Sequence, residues 1–196
     1  DAAKWFTTEI WPKIHVKNNK ARFQIIGSSP TPEILALADI PGIDVLGFVP
    51  NTAPYLTTAA VSVAPLRYGG GMKGKVNEAL AHGLPVVATS IGGQGFHAEN
   101  GKEMIITDDP DLFVAEILGL FEDKQKQERI GIAGQQLNAR LCSPEVVRDL
   151  LKEMIGQAEL IRKSGVKRST ALKFFSWKKR NAFVRTKQLA IPWIEG

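Results

Sequence analysis

Apolar and polar positions alternate along this chain with two different periods. Five short apolar runs, several of them rich in valine and isoleucine, are typical of buried β-strands. Between and after these runs, apolar residues recur at the three- and four-residue spacing of amphipathic helices. The pattern predicts strands at 22–28, 43–49, 59–66, 85–90 and 103–107, and helices at 2–14, 31–38, 72–82, 109–123, 125–141 and 143–160.

Several predicted helices carry signals at their ends. Thr31 followed by Pro32 is typical of a cap and a first helical residue, and Ser143 before a proline gives the same signal later in the chain. Gly83 and Pro85 follow the helix at 72–82 in the order expected at a carboxyl end. These signals support the helix boundaries given by the periodicity.

Short strands that alternate with helices predict an α/β fold with a parallel sheet and helices on both faces. We divide the chain into a domain at 1–158 and a basic C-terminal helical extension at 159–196. Such folds begin with a strand, whereas this chain opens on a helix that needs a sheet to cover. We therefore expect at least one strand upstream of Asp1.

The net charge of +5 is concentrated towards the carboxyl end. From Gly156 onward there are ten Lys/Arg and two Asp/Glu, a balance of +8. The remaining 155 residues therefore hold 15 basic and 18 acidic side chains, a balance of −3. A mildly acidic domain with a basic tail does not fit a nucleic-acid-binding domain, so we predict no nucleic-acid partner.

The single cysteine, Cys142, excludes an internal disulfide framework and fits a reducing compartment. The sequence contains no run of about 18 apolar residues of the kind that spans a bilayer. We predict a cytoplasmic location.

The loop between the third predicted strand and the helix at 72–82 has an unusual composition. Its glycines at 69–71 lack Cβ atoms, so the backbone can approach a ligand closely. Lys73 and Lys75 fall at a helix start, where basic residues oppose the helix dipole unless an anion is bound there. Lys75 and Glu78 share a helix face, which suits a phosphate followed by a ribose whose hydroxyls a carboxylate can accept from. The alternative is a glycine-rich turn with a Lys–Glu surface pair.

Two nucleotide-binding motifs fit this loop poorly. Gly69, Gly71 and Gly74 satisfy the G-x-G-x-x-G pattern, but that dinucleotide fingerprint belongs to the first strand–helix unit of its domain. Here at least two predicted strands come earlier. The P-loop pattern is not met either, because no G-K-[ST] occurs in the sequence.

The stretch "GGGMKGKVNEALAHGLPVVAT" at 69–89 matches the pattern GxGxKxKxxEAxAxGxPVVAT. On this motif, and more loosely from about Gly47 to Val147, the sequence resembles the C-terminal, donor-binding domain of retaining GT-B glycosyltransferases of the large family 4 type. The resemblance implies a Rossmann-like domain that binds a nucleotide-diphosphate sugar in a cleft facing an acceptor-binding N-terminal domain.

The resemblance also implies roles for individual residues. Glu78 matches the glutamate that binds the donor ribose, and the loop at 71–73 matches the backbone amides that meet the sugar and the diphosphate. Lys75 and Val76 match positions beside the diphosphate and ribose. The implied donor-binding set is Gly69, Gly70, Gly71, Met72, Lys73, Lys75, Val76 and Glu78, with Gly47, Phe48 and Val49 bordering the nucleobase.

Two departures from the family pattern bear on catalysis. The family often has a glutamate eight residues before the ribose glutamate, near the transferred sugar, and Gly70 stands there in this chain. A subgroup with the same loop also lacks that glutamate. The basic pair that clamps the diphosphate usually follows the first strand of the domain, and no such region occurs here. Arg67 is a partial substitute for that pair or an ordinary solvated arginine at a strand end.

Three further residues are candidates for a functional role. His97 follows a glycine-rich loop after the fourth strand and is interpreted as a sugar contact or as a surface histidine. His82 near a helix end fits a favourable interaction with the helix dipole. We expect Cys142 to be inert. We predict no metal site, because the histidines are isolated and no cysteine accompanies them.

The tail interleaves aromatic residues with a basic cluster at 178–180. This pattern is typical of segments that lie on anionic membrane surfaces, so peripheral contact through 168–193 at the inner face of a membrane is one interpretation. The alternatives are that the tail packs across an N-terminal domain or leads into another domain.

Together with the resemblance, these observations predict a metal-independent glycosyltransferase. Retention of anomeric configuration, and transfer to a glycan, lipid or protein acceptor held by an N-terminal domain, are what the resemblance implies. No cofactor is expected, and the nucleotide-diphosphate sugar is a substrate. The catalytic residue, the nucleobase, the sugar and the acceptor stay open. So do three alternative functions: a nucleotide-sugar-binding module without catalysis, a nucleotide-sugar epimerase, and a dinucleotide-dependent oxidoreductase.

Overall fold

The computed structural model describes residues 1–163, which form five short strands and a series of helices. The strands are β1 (Phe23–Ile26), β2 (Ile43–Gly47), β3 (Ser62–Ala64), β4 (Val86–Ala88) and β5 (Ile105–Ile106). The α-helices are α1 (Ala2–Trp5), α2 (Trp11–Lys17), α3 (Pro32–Leu35), α4 (Ala53–Thr58), α5 (Gly74–Ala81), α6 (Pro110–Glu122), α7 (Lys124–Cys142) and α8 (Pro144–Lys163).

All strand pairs are parallel, as the alternation of strands and helices predicts. β1 pairs with β2 in one sheet, and β3, β4 and β5 form a second sheet in that order. Each strand is shorter than the apolar run that predicts it. The apolar residues at the ends of each run are not paired with a neighbouring strand.

The amino-terminal helical segment, residues 2–17, is α1 and α2 joined by a π-helical turn at Phe6–Ile10. Its buried face carries Phe6, Ile10, Trp11 and Ile14. The helix predicted at 2–14 is therefore confirmed and runs one turn further. The segment predicted at 31–38 is also helical, but α3 tightens into a 3₁₀ turn at Ala36–Asp39.

Helices cover both faces of the β3–β4–β5 sheet. Val87 on β4 belongs to a first hydrophobic cluster with the amino-terminal helical segment and α6. Its neighbours Val86 and Ala88 belong to a second cluster with α5 and α7. All three residues are fully buried, since their side chains alternate between two helical layers.

The hydrophobic pattern does not predict α4. Its start carries recognisable features nonetheless: Asn51 accepts a hydrogen bond from the Ala53 N–H at 3.0 Å, and Pro54 lies in the first turn. Helix α4 contains too few apolar residues for their spacing to indicate a helix. The polar residues followed by proline do indicate a helix start.

The carboxyl-terminal part of the prediction is only partly described. Ser143 caps α8, accepting a hydrogen bond from the Val146 N–H at 3.3 Å. The boundary at 158 falls within α8 and stays a prediction. The basic segment at 164–196, which includes most of the predicted extension and the proposed membrane contact at 168–193, lies outside the described residues. Within residues 1–163, every helix is too short or too polar to cross a bilayer.

A nearly buried carboxylate makes stability depend on pH. Burial opposes ionisation of Glu103, but the Glu99 N–H, 3.0 Å away, and the Arg140 guanidinium outweigh it and hold the pKa of Glu103 below its usual range. A lowered pKa in the folded state adds stability at neutral pH, and that stability is lost as the pH falls through the folded-state pKa.

Glu103→Gln should therefore lower the free energy of unfolding at pH 7 by about 1–3 kcal/mol. The loss should shrink below about pH 4, where the carboxyl groups of both states take up protons. Urea unfolding at a series of pH values checks this. Glu128→Gln, at an exposed position, is the matched control. Equal effects of the two substitutions at pH 7 would contradict the assigned role of Glu103.

Candidate donor-binding site

The glycine-rich loop leaves the carboxyl end of β3 and ends where α5 begins, the arrangement predicted from the sequence. Gly69 and Gly71 have φ of 122° and 86°, in the left-handed region that residues with a Cβ rarely adopt. The glycines are thus required by the backbone path. This path carries the chain over the start of α5.

Lys73 precedes the first residue of α5 and closes the loop. Its side chain is largely buried, and Nζ donates a hydrogen bond to the Gly69 carbonyl oxygen at 2.9 Å. Among residues 1–163 no side chain caps α5, and its first turn holds no acidic residue. The amino end of α5 therefore combines backbone N–H groups without a side-chain cap with a lysine held close by, an environment that favours anions.

Lys75 and Glu78 do not form the surface pair that was the alternative interpretation. Lys75 is exposed in the first turn of α5, and none of the ion pairs within residues 1–163 joins it to Glu78. Glu78 instead accepts a hydrogen bond from the hydroxyl of Thr52. One carboxylate oxygen is thereby engaged, and the side chains of residues 1–163 leave the other without a hydrogen-bond partner.

Thr52 is a residue that sequence reasoning missed. It sits at the start of α4, so overlooking that helix concealed the partner of Glu78. The polar pair before Pro54 was the available signal. The hydrogen bond holds the Glu78 carboxylate beside the start of α4.

The position of α5 is set by α7. The Asn138 side chain donates to Asn77, with 2.8 Å between the amide nitrogen and Oδ1 and 3.0 Å to the backbone oxygen. One turn earlier on α7, the Gln135 amide donates to the Ala81 carbonyl at 3.0 Å. These contacts anchor the helix whose amino end bears the loop.

An open cavity of about 960 Å³ lies beside the loop and extends between β1 and β3. Thr52 and Tyr55 contribute to its wall near Glu78. Seven residues of the predicted donor-binding set also line it, namely Gly69, Gly70, Met72, Lys73, Lys75, Val76 and Glu78. The structure therefore brings most of that set to one cavity.

The other candidates lie outside this cavity. Gly71 belongs to the loop but does not line the cavity. Gly47, Phe48 and Val49 are at the end of β2, on the far side of β1, and the Phe48 side chain is 73% exposed. Their role beside a nucleobase stays a prediction.

Arg67 and His97 are both exposed. The Arg67 guanidinium is paired with Asp1, with 2.9 Å between Nε and the carboxylate, and it lies 6.0 Å from the Trp5 ring. Neither of the two earlier interpretations anticipated this ion pair. His97 has a φ of 51° and does not line the cavity.

The remaining candidates have local explanations. A ring nitrogen of His82 lies 2.9 Å from the Glu78 carbonyl oxygen, at the carboxyl end of α5. Burial raises the pKa of the Cys142 thiol, which disfavours the reactive thiolate. Within residues 1–163 there is no group of three His, Cys, Asp or Glu side chains placed to hold a metal ion.

The sequence profile of the family described as "Glycosyl transferases group 1" matches residues 1–123, more than half of the chain. The chain belongs to this family. The match includes the loop and α5, so the glycosyltransferase region carries the candidate site. No curated protein sequence matches the chain significantly.

Solved structures resemble this glycosyltransferase chain in fold. HepE of Anabaena in complex with UDP superposes with a TM-score of 0.66 at 17% identity, over 79% of this chain and 46% of HepE. The pneumococcal O-GlcNAc transferase GtfA, in complex with UDP and GlcNAc, gives 0.60 at 19% identity, over 77% and 32% of the two chains. TarM of S. aureus gives 0.60 at 19% identity, over 71% and 30%. The predicted Rossmann-like GT-B fold class is confirmed, and the chain spans less than half the length of each of these proteins.

Proposed function

We propose that this chain is the donor-binding domain of a glycosyltransferase, and that it holds a nucleotide-diphosphate sugar between the loop and α5. The observation that carries the proposal is the meeting of Lys73, the amino end of α5 and the free oxygen of Glu78 at one cavity. A diphosphate and a ribose need these two kinds of group, a cationic donor set and an anionic acceptor, side by side.

The diphosphate is assigned to the amino end of α5. Backbone N–H groups of the first turn donate to its oxygens, Lys73 adds a fixed charge from within the loop, and Lys75 adds an exposed one. The ribose is assigned to Glu78, whose carboxylate lies one helical turn further along α5 and is steadied by Thr52. Val76 lines the cavity between them.

Transfer separates the sugar from the nucleoside diphosphate, so negative charge builds on the leaving diphosphate. Amides and lysines that are already in position stabilise that charge without rearranging. We therefore propose transfer that needs no metal ion. Retention of anomeric configuration, and an acceptor held by a further domain, are proposed from the family resemblance alone.

The nucleobase and sugar are not fixed by the residues of the site. HepE and GtfA were crystallised with UDP, and HepE also with UDP-glucose, so uridine nucleotides come first among the candidates. The acceptor is proposed only as a glycan, lipid or protein.

Position 70 favours a second candidate function. Gly70 lines the cavity at the position where the family often has a glutamate near the transferred sugar. A nucleotide-sugar-binding module without catalysis would have the same site and no sugar-contacting acid. Donor hydrolysis or transfer by the protein eliminates this candidate.

A ligand-detected NMR screen tests donor binding. UDP-, GDP-, ADP- and dTDP-sugars are offered in turn, and we expect one nucleotide to bind clearly better than the others. Lys73→Met should weaken the binding of that nucleotide sugar about tenfold, since a charge-assisted contact is lost. Lys17→Met, at an exposed position on α2, should leave the affinity unchanged. Binding of no nucleotide sugar, or equal affinity in both variants, would refute the site.

A further inference from the structure

Thr89 is a buried polar residue that follows β4 directly, and its side chain is 3% exposed. The hydroxyl donates a hydrogen bond to the Leu66 carbonyl oxygen and accepts one from the Gly92 N–H at 3.0 Å. The Ala64 carbonyl oxygen lies further from the hydroxyl, at 3.4 Å. A hydroxyl that is engaged both as donor and as acceptor is held in one orientation. Thr89 therefore joins the segment after β3 to the turn after β4.

The backbone around Thr89 is packed tightly. The Thr89 N–H donates to the Ala64 carbonyl at 3.2 Å, which extends the pairing of β4 with β3 beyond the two strands. A Cβ on Gly92 would lie 2.2 Å from that same carbonyl oxygen, so the turn at 90–95 lies directly against the end of β3. The Thr89 hydroxyl is thus mounted on a rigid part of the fold.

Leu66 is the last residue before the exposed part of the glycine loop. It is half-buried and lines the cavity, whereas the residues that follow, 67–72, are all exposed. Apolar packing therefore does little to hold 67–72 in place. Among residues 1–163, no backbone-to-backbone hydrogen bond involves 66–72 either. The course of the loop therefore depends on the side chains that reach its backbone.

Two buried side chains reach the backbone of the loop. Thr89 holds its start through the Leu66 carbonyl, and Lys73 holds its middle through the Gly69 carbonyl at 2.9 Å. The ion pair of Arg67 also contacts the loop, but this pair is exposed, and exposed ion pairs contribute little. Since Lys73 is assigned to the diphosphate, Thr89 is the buried anchor that does not depend on the ligand.

We propose that Thr89 is a positioning residue for donor binding. Its hydroxyl fixes the Leu66 carbonyl, and with it the direction in which the backbone enters the glycine loop. That direction determines whether the amides at 69–73 face the diphosphate. Thr89 does not line the cavity itself, so it acts on the ligand through the loop. The effect on affinity rests on the proposed function, whereas the effect on the order of the loop does not.

A role in stability alone predicts a different behaviour. In that case, removal of the hydroxyl lowers the free energy of unfolding, but the folded chain keeps its loop and its affinity. A positioning role predicts that affinity follows the hydroxyl, even between variants that are both destabilised. The two roles are separated by variants that lose either the hydroxyl or the methyl group.

Thr89→Val removes the hydroxyl and keeps the shape of the side chain. We expect it to weaken binding of the best nucleotide sugar about tenfold, because the loop amides no longer face the diphosphate. Thr89→Ser keeps the hydroxyl and loses a buried methyl group, so it should be less stable and yet bind like the parent chain. Titration calorimetry on the full chain, at a temperature where every variant is folded, measures the affinities.

Thr7→Val is the matched control. The Thr7 side chain is 2% exposed, and its hydroxyl donates to the Lys4 carbonyl at 2.9 Å, within the amino-terminal helical segment. Its removal should leave the affinity for the nucleotide sugar unchanged. Equal affinities of Thr89→Val and the parent chain overturn the proposal. So does an equal loss in Thr89→Ser, or a matching loss in Thr7→Val.

The order of the loop is measured without ligand, which separates this proposal from donor binding. The backbone amides at 69–71 should have NMR order parameters of about 0.85 in the parent chain and Thr7→Val, and below about 0.6 in Thr89→Val. Unchanged order parameters in Thr89→Val overturn the positioning role. A loop that loses order as expected, in a chain that binds no nucleotide sugar, refutes only the proposed function.

Thr89→Ala takes the place of Thr89→Val if the valine variant does not fold. It differs from Thr89→Ser only in the hydroxyl oxygen, so the two variants share the loss of the methyl group. Thr89→Ala should then have the less ordered loop and the weaker affinity of the two. Equal order parameters in these two variants overturn the proposal.

Discussion

Glu78→Gln should weaken binding of the best nucleotide sugar by about 1–3 kcal/mol, or about 5- to 150-fold. The amide keeps an oxygen that can accept from Thr52, so the side chain stays in place. It loses the negative charge that strengthens hydrogen bonds from the ribose hydroxyls. Titration calorimetry on the purified chain measures the change.

The free energy of unfolding separates binding from folding in this experiment. Glu78 is half-buried on α5, and its glutamine variant should unfold at nearly the same urea concentration as the parent chain. Glu128→Gln, exposed on α7, is the matched control for loss of one negative charge. If the two variants bind donor equally well, Glu78 does not contact the ribose.

Gly131→Ala should destabilise the chain by about 3 kcal/mol. A Cβ at this position would lie 2.1 Å from the carbonyl oxygen of Gly83, a backbone atom that cannot rotate away. The same face of α7 carries Gly134, where a Cβ would meet the Glu103 carbonyl at 2.9 Å. Close packing of α7 on the turn after α5 therefore depends on glycine. Urea unfolding checks the loss.

The same substitution at another helical glycine gives the control. Gly156 on α8 has no atom of residues 1–163 within 4 Å of an added Cβ, so Gly156→Ala should stabilise the chain by about 0.5–1 kcal/mol through helix propensity. The two variants should thus shift stability in opposite directions. A gain in stability from Gly131→Ala would show that α7 is not packed against the Gly83 turn in solution.

Local patterns in the sequence were sufficient to predict the parallel α/β architecture. Runs such as 85–90 predict strands because a strand between two helical layers is apolar on both faces, and β4 has that environment. The loop at 69–73 was predicted because glycine and lysine at a helix start conflict with ordinary helix preferences. Such conflicts are visible without knowledge of distant contacts.

Features that depend on distant partners were not predictable. The bond between Thr52 and Glu78 joins residues 26 positions apart, and α4 carries too few apolar residues to show a period. From the sequence alone, Lys73 is expected to be an exposed charged residue. In the structure the loop folds back and buries its side chain against Gly69. The pairing of Arg67 with Asp1 spans 66 positions and has no local signature.

The split arrangement of the strands had no local signature either. Each apolar run predicts a strand, but periodicity does not say which strands are neighbours. The apolar runs at 22–28 and 59–66 have the same kind of pattern in the sequence. That pattern does not indicate whether the edge of a strand is paired with another strand or open.

The alternation of side chains along β4 bears on how the domain comes apart. Val87 is shared with one hydrophobic cluster, and Val86 and Ala88 with the other. If either cluster loses its packing, β4 is displaced, and the other cluster then loses its packing too. The two layers should therefore melt as one cooperative unit, because β4 packs against both clusters and α7 adds Ile130 to the first and Leu137 to the second.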